Sequence, residues 1–394
     1  MSSECASPCS LEHLRHRPRI HAAARTTEYL FHQLIPYLGS KRRLLPLIAE
    51  AVRSTGVTDG VFLDAFAGSG VVSRLAKTLG FSVLANDWEP YCGPLNRAYV
   101  EADRPPPFTA LGGMESVYSA LNAIEGCDGY LATHYCPRKD DAPDLDRERL
   151  FFTRANGRRL DAMREAIDEW WRGGALTEEE LSVLLASLIY SACYVSNTSG
   201  VFKAFHRGWG GSNGTALYRI MSPVTLSPPI LHAGVAPCRA HGEDAQRVLA
   251  REPASIVYLD PPYNQHQYGA NYHLLNTLAL WDKPPVCPRI GTGAGRNKSA
   301  IRRDWRTQRR SAFCHRASAE EAFFQAVAAA QATWVLVSYS SEGLIPLPRL
   351  EALLRTFGEV SRVEQEYRRY RVSPTRPSPK PYSREFVLVL NKEG

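Results

Sequence analysis

The chain has 394 residues, of which 44% are hydrophobic and 22% are charged, and its formal net charge is +7. This composition excludes a largely disordered chain, and the lack of long apolar runs argues against a membrane-spanning or secreted protein. Nine scattered cysteines without a C-x-x-C pair argue against a zinc site and favour free thiols in a reducing cytoplasm. The Ala-, Arg- and Pro-rich composition is compatible with a bacterial source.

The N-terminal region combines a polar tail with a short turn before a helix. Residues 1–33 are polar and rich in Arg and His, and we expect them to be loosely ordered. The turn Gly39-Ser40-Lys41 then precedes an amphipathic segment from Leu44 to Val52. Such a turn can present backbone N–H groups and a lysine to a carboxylate or phosphate, although an ordinary helix N-terminus has the same pattern.

Two strand–helix units follow in succession. Val61 to Asp64 predicts a strand, a glycine loop ends at Gly70, and Val71 to Leu79 predicts a helix. Phe81 to Asp87 predicts a second strand that ends in an acid. An acid roughly twenty residues after a glycine loop is placed to bind ribose hydroxyls. A bare glycine turn and a capping acid are the alternatives, and the succession of the two units favours the ligand-binding interpretation.

The pattern changes to mostly helical between residues 101 and 237. Helices are predicted over Met114–Ile124, Leu145–Trp171 and Thr177–Tyr194, the last with a capping-box start. We interpret this region as an inserted recognition lobe. Asn197, Thr198 and Lys203 lie in polar loops after an apolar helix, so they are candidates for contacts with phosphate or base edges.

The sheet resumes with a short strand over Val235–Arg239, a helix over Gln246–Leu249 and a strand over Ser255–Leu259. The last strand stops at Asp260-Pro261-Pro262-Tyr263, because proline cannot continue a strand ladder. The acid and the Pro261 carbonyl can accept hydrogen bonds from an amino group, and the tyrosine offers a face to a planar base. A strand-ending turn that arose by chance is the alternative.

The segment from Lys283 to Arg316 holds ten Lys or Arg residues and one acid, Asp304. Such a block next to a candidate active site favours contacts with phosphates, although a solvated loop would have the same composition. Beyond it we predict a helix, a strand ending near Tyr339, a turn over 338–343 and a helix over Leu350–Phe357. Val360–Tyr367 and Arg384–Leu390 are predicted as an antiparallel pair that closes the sheet.

The order of these motifs resembles the D12-class (α-group) adenine-specific DNA methyltransferases of type II restriction–modification systems. The resemblance covers roughly residues 34 to 392. It implies an α/β, Rossmann-like sheet that binds S-adenosylmethionine, with an inserted, mostly helical target-recognition lobe. The implied division is a tail over 1–33, a catalytic domain over 34–100 and 238–394, an insertion over 101–237 and a basic DNA-contacting loop over 283–318.

The resemblance also implies roles for individual residues. The implied catalytic residues are Asp260, Pro261, Pro262 and Tyr263. The implied cofactor-binding residues are Tyr37, Lys41, Asp64, Phe66, Gly68, Gly70, Asp87 and Asp244, with Glu243 as the alternative to Asp244. The implied DNA-binding residues are Lys203, Arg296, Lys298, Arg302, Arg303 and Arg306.

The implied reaction transfers a methyl group from S-adenosylmethionine to N6 of an adenine flipped out of duplex DNA, without a metal. A restriction endonuclease that cuts the same site is the implied partner. Methylation of cytosine N4, RNA adenine or glutamine remains an alternative, as does a catalytically silent DNA-binding protein. Asp260 favours adenine, because the cytosine enzymes usually carry Ser there and the glutamine enzymes carry Asn. Every motif position is filled, which argues against a catalytically silent protein.

Overall fold

The computed structural model describes residues 25–211, 214–291, 297–302, 305, 309–368 and 382–394. Within these residues the strands form one seven-stranded sheet. The strands are β1 Val61–Asp64, β2 Ser82–Asn86, β3 Arg239–His241, β4 Ile256–Leu259, β5 Trp334–Ser340, β6 Glu359–Arg368 and β7 Tyr382–Asn391.

The sheet has the order β3-β2-β1-β4-β5-β7-β6. The first five strands in this order are parallel, and β7 is antiparallel to both β5 and β6. The chain runs from β1 outward through β2 and β3, then returns to β4 on the other side of β1. The reversal opens a crevice at the carboxyl ends of β1 and β4, where open α/β sheets bind ligands. The predicted Rossmann-like α/β fold is confirmed.

Helices flank the sheet and fill the region between β2 and β3. None of those described is long and apolar enough to cross a membrane. They are α1 Leu45–Ser54, α2 Val71–Thr78, α3 Cys92–Asn96, α4 Met114–Ala123, α5 Tyr130–Tyr135, α6 Arg154–Arg172, α7 Glu178–Val195, α8 Leu217–Met221, α9 Ala245–Arg251, α10 Tyr268–Asn271, α11 His273–Leu280, α12 Ala319–Ala329 and α13 Leu347–Leu354.

Apolar clusters cover both faces of the sheet. Helices α1 and α2 pack on one face, while α9, α12 and α13 pack on the other. All four residues of β4 are buried, as expected for a central parallel strand that is apolar along its whole length. Since both faces are covered, the open carboxyl edge is where polar side chains from several strands can meet.

The helices between β2 and β3 have an apolar cluster of their own that extends to the sheet domain. Residues of α4, α6 and α7 pack in it with residues of α3 and α11. The predicted capping box starts α7, because Thr177 and Glu180 each accept a hydrogen bond from the other's backbone N–H. The division into a catalytic domain and a recognition insertion stays a prediction.

Several predicted boundaries are wrong for local reasons. Helix α6 begins at Arg154 rather than at residue 145, because the Thr153 hydroxyl caps it by accepting from the Asn156 N–H at 3.2 Å. The strand predicted over 235–239 lies at Arg239–His241, where it pairs with the end of β2, while Val235 is 85% exposed. The first residues of the turn predicted over 338–343 belong to β5, because they pair with β7.

Candidate active site

A cavity of about 220 Å³ lies at the carboxyl ends of β1, β2 and β4. The turn before α1, the loops after these strands and the segment before α12 all contribute to its wall. Nine of the predicted cofactor-binding and catalytic residues line it, namely Tyr37, Lys41, Phe66, Asp87, Asp244, Asp260, Pro261, Pro262 and Tyr263. Asp64 lies behind them in a smaller cavity that Lys41 and Asp260 also line.

The turn after β4 places an acid beside a buried lysine. Lys41 Nζ lies 2.8 Å from Asp260 Oδ1 and also donates to the Gly39 carbonyl at 3.1 Å. Burial raises the pKa of Asp260, and the nearby ammonium group lowers it, with a net rise. Burial lowers the pKa of Lys41, but the charge and hydrogen bond of Asp260, together with the nearby Tyr263 and Glu385, outweigh this, so its pKa lies above the usual value. At this distance the two groups form an ion pair, and each partly offsets the cost of burying the other.

Tyr263 is held from behind by the end of β5. Its ring meets the Tyr339 ring edge-on with 5.6 Å between centroids, and its carbonyl accepts from the Leu344 N–H at 2.9 Å. Lys41 Nζ lies 5.3 Å from the centroid of the Tyr263 ring. The ring thus has a fixed orientation on the wall of the cavity, which suits stacking against a planar group.

The loop after β1 needs its glycines for contacts within the chain. Gly68 has φ +53°, and a Cβ there would lie 2.7 Å from the Tyr37 ring. Gly70 has φ +79°, and a Cβ there would lie 2.5 Å from Asn96 Oδ1. We predicted that these glycines let a ligand approach the backbone. Within the chain, the groups that a Cβ at these positions would meet are those of Tyr37 and Asn96, and the contact with a ligand stays a prediction.

Asp87 connects this loop to the end of β2. Its Oδ2 accepts from the Gly68 N–H at 2.9 Å, and its Oδ1 accepts from the Glu89 N–H at 2.9 Å. Burial raises the pKa of this carboxyl, and the two backbone hydrogen bonds lower it, with a net rise. The carboxylate also has a hydrogen bond with the Cys92 thiol. Its two oxygens offer about four lone pairs, so it can still accept a hydrogen bond from a hydroxyl group.

The remaining predicted acids differ in their surroundings. Asp64 is buried, accepts from the Ser73 hydroxyl at 2.7 Å, and burial raises its pKa to about 7. Asp244 caps α9 by accepting from the Gln246 N–H at 3.0 Å and borders the cavity. The alternative, Glu243, is bound by the guanidinium of Arg251 at 2.8 and 3.0 Å. Of the two carboxylates, that of Asp244 is therefore the one not bound by an arginine.

Sequence reasoning missed several aromatic and acidic residues of the wall. The Phe313 ring meets Phe66 edge-on at 5.2 Å between centroids, and Trp88 lies on the same cavity. Glu89 is 3% exposed and accepts from Asn276 Nδ2 at 2.7 Å, and burial raises its pKa to about 7. The sequence did offer two signals for these wall residues. Phe313 is an aromatic residue within the basic segment, and Glu89 is an acid two residues after Asp87.

The end of the basic segment folds onto the cavity instead of facing away from it. Residues 310–313 line the wall. The Arg309 guanidinium hydrogen-bonds to the Trp88 carbonyl and lies 5.6 Å from the centroid of the Trp88 ring. Earlier in the segment, the buried Arg149 guanidinium donates to the carbonyls of Cys287 at 2.7 Å and Asn297 at 3.0 Å. The described parts of the segment are thus anchored to the protein at both ends.

The predicted DNA-binding residues fall into separate groups. Lys203 and Lys298 are exposed and adjacent, because the Ser299 hydroxyl donates to the Lys203 carbonyl. Arg302 forms an ion pair with Asp282 and lies 5.0 Å from the Trp305 ring centroid. The other three residues, Arg296, Arg303 and Arg306, lie outside the described residues.

The suggestion that Asn197 and Thr198 contact DNA is wrong. Asn197 is fully buried, and its amide donates to the carbonyls of Leu150 and Gly208 at 2.9 and 3.1 Å. Thr198 is also buried and accepts from the Gly200 N–H at 3.2 Å. Both side chains satisfy loop backbone groups, which polar residues after a helix often do.

The amino-acid sequence is similar to known DNA methyltransferases over most of its length. Residues 37–287 match the family described as D12 class N6 adenine-specific DNA methyltransferase. The chain is 32% identical over 348 residues to the type II methyltransferase M.NlaIII of Neisseria lactamica, covering 86% of this chain and 93% of that protein. It is 28% identical over 350 residues to the type II methyltransferase M.CviAII of Paramecium bursaria Chlorella virus 1, covering 86% and 93%.

A longer relative matches over part of its length. Identity to the type II methyltransferase M.FokI of Planomicrobium okeanokoites is 28% over 361 residues, which is 91% of this chain and 52% of that protein. No solved structure matches the chain. The family match and the similarity to M.NlaIII both extend over most of the chain, and they agree with the strand-end turn and the cavity beside it. The chain therefore belongs to the D12 class of N6 adenine-specific DNA methyltransferases.

Proposed function

We propose that this protein methylates adenine N6 at a specific site in duplex DNA, with S-adenosylmethionine as methyl donor, as the modification enzyme of a restriction–modification system. The observation that carries the site assignment is the position of Asp260, Pro261 and Tyr263 on the wall of the cavity at the switch point of the sheet. Membership of the family and the similarity to type II methyltransferases support the reaction.

The cavity residues fit S-adenosylmethionine in chemical type. Phe66, Trp88 and Phe313 provide aromatic surface for a planar base. Asp87 offers carboxylate oxygens for ribose hydroxyls, as acids after the second strand do in nucleotide-binding folds. The acids around the cavity suit the cationic sulfonium and ammonium groups. When bound, S-adenosylmethionine supplies an electrophilic methyl group.

The chain's own residues would hold the target amino group in line with that methyl group. Asp260 and the Pro261 carbonyl would accept its two hydrogens, which directs the nitrogen lone pair away from them and stabilises the positive charge that develops on nitrogen. Tyr263 would stack on the flipped base. Orientation of the two reactants contributes the larger part of the acceleration.

We assign DNA contacts to the exposed lysines Lys203 and Lys298 and to the basic segment around them. Their charges lie on the helical insertion and the loop packed against it, close enough to act as one surface. Contacts of this kind bind the phosphate backbone and do not read bases. Base readout is assigned to the insertion over 101–237, in keeping with its predicted role.

The reaction is tested with purified protein, methyl-labelled S-adenosylmethionine and unmethylated genomic DNA, followed by digestion and separation of the nucleosides. Label in N6-methyldeoxyadenosine is the expected result, and sequencing of the same DNA gives the site. Label in N4-methylcytosine, RNA or protein would contradict the proposal. The Asp260→Asn variant serves as the control for contaminating activity.

The restriction partner is tested with extract of the source cells. An endonuclease that recognises the same site should cut unmethylated DNA and leave DNA that was first methylated by this protein intact. Equal cleavage of both DNA samples would contradict a shared site.

A further inference from the structure

A second buried acid lies near Lys41, and neither the motifs nor the proposed reaction accounts for it. Glu385 is on β7, directly opposite Ser340 of β5, and its side chain is 8% exposed. The Ser340 hydroxyl donates a hydrogen bond to the carboxyl group of Glu385. No donor among the described residues reaches the other oxygen, Oε2, although that atom is fully buried.

The carboxyl group of Glu385 interacts electrostatically with charged groups of the active site. Burial raises the pKa of its carboxyl, the Lys41 ammonium lowers it, and the nearby acids Asp260 and Glu342 raise it further. In turn, the charge of Glu385 contributes to the raised pKa of Lys41. Lys41 thus contacts the carboxylate of Asp260 at 2.8 Å and interacts electrostatically with that of Glu385, whose Oε2 has no donor among the described residues.

The proposed reaction creates a conflict at Asp260 that Glu385 can resolve. Asp260 has to accept a hydrogen from the target amino group while Lys41 already occupies its Oδ1. A cation in contact with that carboxylate weakens it as an acceptor and opposes the positive charge that develops on the amino nitrogen. The ammonium group therefore needs another acceptor during the transfer.

We propose that Glu385 is a positioning residue that accepts the Lys41 ammonium group when the target amino group binds to Asp260. This inference rests on the proposed function. Glu385 then acts through Lys41 and never touches the base. A buried carboxylate with an unsatisfied oxygen lowers the stability of the fold, so we expect Glu385 to contribute to activity and not to folding.

The test compares Glu385→Gln with wild type and with Glu366→Gln, an exposed acid that lies opposite Arg384 on the neighbouring strand β6. Glutamine keeps the shape and the hydrogen bond to Ser340 but removes the charge. The measurements are the single-turnover rate of methyl transfer, the Kd values for DNA and S-adenosylmethionine, and the Tm. Glu385→Asp, which keeps the charge on a shorter side chain, tests for rescue.

In Glu385→Gln we expect the transfer rate to fall by roughly tenfold or more, with both Kd values within about twofold of wild type. The Tm should be unchanged or higher, because a poorly satisfied buried charge is lost. Glu385→Asp should recover part of the rate, and Glu366→Gln should match wild type.

A transfer rate within about threefold of wild type in Glu385→Gln would overturn the inference. A slower rate accompanied by a lower Tm and weaker binding of both substrates would show a structural role and overturn it as well. If Glu385→Gln does not fold, Ser340→Ala frees the carboxylate from its other partner, and an unchanged transfer rate in that variant overturns the inference. Failure of wild type to methylate adenine would instead contradict the proposed function.

Discussion

Lys41 Nζ and Asp260 Oδ1 are 2.8 Å apart, and this contact joins the turn before α1 to the end of β4. The two segments are far apart in the chain, and the lysine is almost completely buried. A buried pair of this kind is costly to break from one side, because the remaining charge loses its partner. The contact holds the candidate catalytic acid in one position at the mouth of the cavity.

Replacement of Asp260 by Asn is expected to remove methylation while DNA binding stays measurable. The neutral amide oxygen can accept an amino hydrogen, but it lacks the negative charge that stabilises the positive charge developing on nitrogen. Losses of about 10²–10³-fold are typical when one such electrostatic contact is removed. The measurement is the single-turnover transfer rate beside a DNA-binding isotherm. The exposed acid Asp59, changed to Asn, is the matched control. Turnover within about tenfold of wild type would contradict the role of Asp260.

Replacement of Lys41 by Met is expected to move the acid limb of the rate profile to higher pH. Asp260 must be ionised to accept the amino hydrogens, and Lys41 lowers the pKa of that carboxyl. Without the cation, the carboxyl would stay protonated to a higher pH. The variant should therefore lose more activity near pH 6 than near pH 9, as pH–rate profiles of both proteins would show. An unmoved or lowered limb would contradict this assignment.

Gly68→Ala is expected to destabilise the fold by roughly 1–3 kcal/mol more than Gly56→Ala. Both glycines have positive φ, so both substitutions strain the backbone, but a Cβ at Gly56 meets nothing within 4 Å. A Cβ at Gly68 would lie 2.7 Å from the Tyr37 ring. Urea unfolding of the two variants separates the clash from the strain. Equal losses of unfolding free energy in the two variants would mean that the Tyr37 ring moves away from the new Cβ without a free-energy cost.

Glu89→Gln is expected to stabilise the protein more at alkaline than at acidic pH. The folded pKa of Glu89 is about 7 because of burial, which is above the ordinary value of 4.5. The folded state therefore binds the proton more tightly, and the wild type loses stability as pH rises from about 4.5 through 7. Glutamine does not titrate and still accepts from Asn276.

The gain in unfolding free energy for Glu89→Gln should be on the order of 1–3 kcal/mol at pH 8 and smaller at pH 5. Urea unfolding at the two pH values measures it, with the exposed Glu115 changed to Gln as control. A gain that does not depend on pH would show that Glu89 is not protonated on folding.

Lys203→Ala with Lys298→Ala is expected to weaken DNA binding for all sequences alike and to reduce its salt dependence. Each lost phosphate contact lowers the slope of log K against log salt by about 0.9. Binding isotherms at several salt concentrations measure the slope. A double variant of exposed arginines elsewhere, Arg53→Ala with Arg355→Ala, controls for net charge. An unchanged slope would place the phosphate contacts on another surface.

The elements of the sheet core were predictable from local patterns. Strands β1, β2 and β4 are short apolar runs that end at an acid or at proline, because buried parallel strands need apolar side chains on both faces. The start of α7 followed from Thr177 and Glu180, whose spacing forms a capping box. The boundary of α6 was wrong, because the capping role of Thr153 competes with a helical pattern that extends upstream.

By itself, the sequence determined the α/β fold, the strand-end turn over 260–263 and most of the cavity-lining acids, since these depend on neighbouring residues and on the common edge where parallel strands end. Only the tertiary structure decided which side chains meet there. Strand β7 inserts between β5 and β6 and carries Glu385, whose charge acts on Lys41, while the basic segment folds back and brings Phe313 against Phe66. Contacts between such distant segments depend on strand order and loop paths, which no local pattern specifies.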